Sequence, residues 1–170
     1  MSHSRIFKVN PEYLTTEYKE ICKSQYYDNG FIDGYHDYVS MQDEEENKDN
    51  YNWLLNASSK VFENLRLDND GHYLIDVNKN KALEYIKAEV ESGISHAKNI
   101  VTIIDDKIKI DGTERWRAER AFSGDISSFY FEIDGCYYTE LHFLFDLIEY
   151  YMKDNNKITL RLEGSLDYHC

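Results

Sequence analysis

The chain has 170 residues, with 32 aspartates and glutamates against 19 lysines and arginines, a formal net charge of −13. Hydrophobic residues make up 42% and aromatics 15%, enough for a core, which excludes wholesale disorder. The length suits one domain over 1–170, no run nears the roughly 18 apolar residues of a membrane span, and the negative charge opposes direct nucleic-acid binding.

Met1 to Arg5 lead into no secretory apolar segment, and Cys22, Cys136 and Cys170 form an odd, widely spaced set. Both features point to a cytoplasmic protein with reduced thiols. The bias toward Asn, Asp, Lys, Ile and Tyr points to a bacterial or phage source.

The charge is concentrated. Residues 28–49 hold eight acids against Lys48 alone, more than half of the net charge. Tyr26, Tyr27, Phe31, Tyr35, Tyr38, Tyr51 and Trp53 lie within or beside this segment. Acids interleaved with aromatics suit a basic protein surface, because charge steers the encounter and the rings add anchoring area. The expected partner-binding residues are Asp33, Tyr35, Asp37, Tyr38, Asp43, Glu44, Glu45 and Glu46. Residues 41–50 read as an exposed acidic loop or as the polar start of a helix leading to Trp53, Leu54 and Leu55.

Asp68-Asn69-Asp70-Gly71 separates Leu65–Leu67 from Tyr73–Val77 and reads as a hairpin turn. The same residues suggest a calcium loop, but that register puts Arg66 and Val77 where carboxylates are needed, so the turn is preferred. Leu83, Ile86, Val90, Ile94, Ala97, Val101 and Ile104 recur at steps of three and four, predicting a helix over about 80–104. The β-branched run from Val101 leaves open a helix ending near Lys98 and a hairpin within 100–110.

Asp105, Asp106 and Asp111 could gather hard oxygen ligands for Mg²⁺ or Mn²⁺. Arg115, Trp116 and Arg117 form a basic, aromatic cluster, a secondary candidate for partner binding. The six histidines show no ligand spacing, and Gly-rich phosphate loops and nucleophile elbows are absent. No catalytic residue, metal or cofactor is therefore assigned. Cys136, beside His142, reads as a small buried side chain of a strand.

Phe129–Ile133, Asp134-Gly135 and Cys136–Tyr138 predict a second hairpin with a type I′ turn. Thr139 is placed to cap a helix running to about residue 153, with Glu140 in its first turn and Leu141, Leu144, Phe145, Ile148 and Tyr151 on its apolar face. Ile158, Leu160 and Leu162 alternate with Thr159, Arg161 and Glu163, predicting a strand over 157–163 with one wet face.

These readings predict an α+β fold. A small, mostly antiparallel sheet, with hairpins near 65–77 and 129–138 and a C-terminal strand at 157–163, packs against helices at about 80–104 and 139–153. The expected function is a non-catalytic acidic interaction module that binds, and inhibits, a basic partner such as a nucleic-acid-binding protein or toxin. Nucleic-acid mimics and immunity-type antagonists work this way. The alternatives are a metal-dependent enzyme acting on phosphoesters through Asp105, Asp106 and Asp111, and an oligomerisation domain using the apolar side of the 83–104 helix.

Overall fold

The computed structural model describes residues 3–24, 39–57, 61–105 and 129–169. Among these, β1 (His3–Asn10) and β2 (Val39–Met41) precede helix α1 (Glu44–Ala57). The hairpin β3 (Phe62–Leu67) and β4 (Tyr73–Asn78) leads into helix α2 (Lys79–Asp105). A second hairpin, β5 (Phe129–Ile133) and β6 (Cys136–Thr139), leads into helix α3 (Glu140–Asp146), a π-helical turn over Leu147–Tyr151, and β7 (Lys157–His169).

The fold is α+β, a mixed, mostly antiparallel sheet packed against three helices. Strand order is β3-β4-β7-β1-β5-β6, with β2 also pairing β7. Only β1 and β5 run parallel among the described pairs. The long β7 organises the sheet: its first half pairs β4 through Lys157–Arg161, and its second half pairs β1 and β2. β1 escapes period-two detection because both of its faces are buried, Phe7 and Val9 in the main core and Ile6 and Lys8 on the other side.

Local chemistry explains the turns. Asp134 and Gly135 both take positive φ, as the predicted type I′ turn requires. Asp68 Oδ1 accepts the backbone N–H groups of Asp70 (2.9 Å) and His72 (2.8 Å), closing the β3–β4 hairpin. The residues 41–50 resolve into the helical alternative: Asp43 Oδ1 accepts the N–H of Glu46 and Glu46 Oε2 accepts that of Asp43, both at 2.9 Å. This reciprocal capping box, with Glu44, Glu45 and Glu46 in the first turn, accounts for much of the acidity locally, since carboxylates complement the positive end of the helix dipole.

One face of the sheet carries the main core. Phe7, Ile75, Val77, Phe129, Phe131, Leu160 and Leu162 pack against Leu54 of α1, Ala82 and Ile86 of α2, and Phe143, Leu144 and Leu147. Phe131 stacks on Phe143 with ring centres 3.9 Å apart. α2 extends to Asp105, so the helix prevails over the hairpin alternative at 100–105.

Several expectations are corrected. The helix predicted over 139–153 has its Thr139 cap, bonded by the N–H of His142, but turns π-helical at Leu147. Phe143, Leu144 and Leu147, at α-helical steps of one and three, form the buried face, and Phe145 stands off it, half exposed. Glu140 is buried and accepts a 2.8 Å bond from the Tyr85 hydroxyl, a packing role beyond its charge at the dipole. Cys136 is exposed rather than buried, because β6 is an edge strand.

The strand predicted over 157–163 continues to His169, and its second face is covered. Arg161 and Glu163 are 6% and 2% exposed, with Ile21 and residues 11–20 lying over that side. A bulge at Glu163–Gly164, opposite Lys8, reverses the alternation: Leu160 and Leu162 face the main core, whereas Leu166 and Tyr168 join Ile6, Ile21 and Val39 in a second one.

Candidate functional site

The residues before α1, the β3–β4 turn and the bulge of β7 converge on a cleft of about 320 Å³. Its floor is Leu162 and Gly164; Tyr18 and Glu20 come from the segment after β1; Gln42 and Asp43 immediately precede α1, which adds Glu44, Asn47 and Tyr51; Gly71, His72 and Tyr73 come from the hairpin. The volume suits a small ligand or a single partner side chain. Three carboxylates and no lysine or arginine stand among these lining residues.

α1 is fastened to the bulge by its polar side chains. Asn47 Oδ1 accepts the N–H and the hydroxyl of Ser165, both at 2.7 Å, and Asn50 Nδ2 donates to the Ser165 hydroxyl at 2.9 Å. The Gly164 N–H donates to the Tyr51 hydroxyl at 3.0 Å. Burial, reinforced by the phenol of Tyr18, pushes the Tyr51 hydroxyl well above its ordinary pKa, so it remains a neutral hydrogen-bonding group.

The segment after β1 is tied down by a buried ion pair. Arg161 Nε donates to Glu163 Oε1 at 3.0 Å, while Arg161 Nη2 donates to the carbonyls of Thr16 and Glu17 at 3.3 and 2.8 Å. Lys8 lies 4.0 Å from Glu163 and 3.8 Å from Glu132, so the acids of this face are balanced by Arg161 and Lys8. The result is a fixed position for Tyr18, whose ring stacks on His72.

At the rim, ligand atoms of Asp68, Asp70 and His72 all lie within 4.8 Å of one another. Asp68 and His72 are half-buried and Asp70 is exposed. Burial opposes ionisation of Asp68, but the N–H bonds from His72 and Asp70 outweigh it and lower its pKa. Asp68 Oδ2 stands 3.6 Å from His72 Nδ1, clear of the backbone bonds made by Oδ1. Two carboxylate oxygens and an imidazole nitrogen are donor types that zinc accepts.

The expected site residues divide. Asp43 and Glu44 line the cleft, and Glu45 and Glu46 are exposed on the first turn of α1. Asp33, Tyr35, Asp37, Tyr38, Arg115, Trp116 and Arg117 lie outside the described residues. So do Asp106 and Asp111, while Asp105 closes α2. In the sequence, Asp68 and Asp70 carry a turn signal and do not fit a calcium loop. Pairing them with His72, two positions on, was the missing signal.

Comparison with known proteins finds no family model, no curated protein and no solved structure that matches the chain. Among the described residues, no helix is long and apolar enough to cross a membrane.

Proposed function

We propose that the protein works through a divalent transition-metal ion held by Asp68, Asp70 and His72 at the rim of the cleft. The convergence of these three ligand atoms within 4.8 Å carries the reading. Two carboxylates and one imidazole suit Zn²⁺ or Mn²⁺, and open coordination positions would let the ion polarise a bound substrate or water. This is metal-dependent chemistry of the class the sequence offered as an alternative to an acidic interaction module, on residues other than Asp105, Asp106 and Asp111. A phosphoester fits such a site when the ion is bound, because its charge offsets the repulsion from Glu20, Asp43 and Glu44.

Calorimetric titration with Zn²⁺, Mn²⁺, Mg²⁺ and Ca²⁺ tests the proposal, alongside hydrolysis of a chromogenic phosphodiester. One equivalent of Zn²⁺ or Mn²⁺ should bind, and Asp70→Asn with His72→Gln should abolish binding while the fold is retained. Absence of saturable binding by any of the four ions would refute it.

A second reading, a basic partner inserting a lysine or arginine, draws on the lining of Glu20, Asp43 and Glu44 together with Tyr18, Tyr51 and Tyr73. Its mark would be a complex that weakens steeply with salt and is lost on Glu44→Lys, a change that spares the Asp43–Glu46 cap.

A further inference from the structure

Among its described residues, α2 joins the core only through its first turns. Its 27 residues span about 40 Å, yet among the described residues only Ala82 and Ile86, in its first turns, are buried core side chains of this helix. Leu83, Val90, Ile94 and Val101 are 45%, 47%, 51% and 56% exposed. Their steps of seven, four and seven place them on one stripe about 27 Å long. Isolated exposed apolar residues are ordinary, but an aligned row on a projecting helix is the pattern of a helix-pairing seam.

The flanking charges identify the occupant. Glu91 and Lys98, seven residues apart, lie on the same side of the stripe, roughly 80–100° round the helix from Val90. An antiparallel second copy of α2, with the two-fold axis between Ile94 and Ser95, sets Glu91 of each copy level with Lys98 of the other. Two opposite-charge pairs then border the apolar seam, an arrangement that selects partner and direction in coiled coils.

We propose that the exposed stripe of α2 pairs antiparallel with the same stripe of a second copy of this chain, forming a two-fold dimer. The proposal is independent of the cleft and its metal.

Sedimentation equilibrium of the full chain over a hundredfold concentration range tests it. A monomer–dimer equilibrium is expected, and Ile94→Glu should abolish it with circular dichroism unchanged, since Ile94 is exposed in the monomer. Glu91→Lys and Lys98→Glu should each weaken association several-fold, and the double exchange should restore it. A monomer at every concentration overturns the proposal, whether the stripe is then covered by residues 106–128 or by another protein. A dimer indifferent to Ile94→Glu, or a double exchange that fails to recover association, overturns it as well.

Discussion

The ring of Tyr18 lies flat on the imidazole of His72, with centres 4.2 Å apart and planes 6° from parallel. Tyr18 belongs to the segment anchored by Arg161, and His72 belongs to the β3–β4 hairpin, so a buried ion pair on one strand sets the position of a ring at the candidate metal site. Removing the ring should loosen His72 without removing a ligand. Tyr18→Ala is expected to weaken Zn²⁺ binding about tenfold, whereas Tyr18→Phe keeps the stack and the affinity. Parallel calorimetric titrations of the two variants check this, and equal affinities in both would remove the positioning role.

Metal loading should also register as stability. A ligand at a hundred times its Kd stabilises the folded state by about 2.7 kcal/mol. For a chain of this length that corresponds to a rise of about 5–10 °C in Tm. Asp68→Asn retains an oxygen to cap the turn while losing the charge, so its apo Tm should stay near that of the parent and its Zn²⁺-induced rise should shrink. Thermal melts with Zn²⁺ and with EDTA separate the two effects.

The acids that begin α1 are not equivalent. Asp43 and Glu46 satisfy each other's backbone N–H groups, and Glu45 makes no such bond among those described. Asp43→Ala should cost about 1 kcal/mol, the usual penalty for losing a cap, while Glu45→Ala should cost a few tenths at most. Urea denaturation of the two variants measures the difference.

Gly164 has φ of +111°, and a Cβ there would stand 2.5 Å from Ile21 Cγ2. Gly164→Ala therefore combines backbone strain with a clash against the second core, at a cost of about 2–4 kcal/mol. Ile21→Ala in the same chain should recover part of the steric component and none of the backbone component. A double-mutant cycle in urea reads this coupling, and strict additivity would show that the clash is relieved elsewhere.

Asp76 supplies the pH dependence. Burial would raise its pKa, but Lys157 at 2.8 Å, Thr159 at 2.6 Å, Asn64 at 3.1 Å and Arg66 at 3.0 Å hold it at about 2. A folded-state pKa below the unfolded value stabilises the protein above the unfolded pKa, and that stability is lost as pH falls. Between about pH 4 and pH 2, roughly 2 kcal/mol should disappear. Asp76→Asn should be less stable at neutral pH and show a shallower decline over that window, measurable by denaturation at stepped pH.

The sequence by itself determined the parts whose chemistry is local. Asp134-Gly135 can form its turn because of two adjacent φ angles, Thr139 can cap because its hydroxyl reaches a neighbouring N–H, and the three- and four-residue steps of α2 require no distant partner. Those features were legible, and the two hairpins and the long helix stand where they were read. Tertiary structure decided which faces are buried. Arg161 and Glu163 looked wet because alternation cannot reveal that residues 11–20 lie over them, and the bulge at Gly164 breaks the alternation that a local reading extends. β1 stayed hidden because burial on both faces erases its period. The acidic strip looked like a surface for a partner, but part of it is a helix cap. The candidate metal site depends on a tight turn bringing His72 back beside Asp68, and the cleft on three segments brought together by β7. Hydrogen bonds and packing between residues more than a hundred positions apart make those choices, and no local pattern records them.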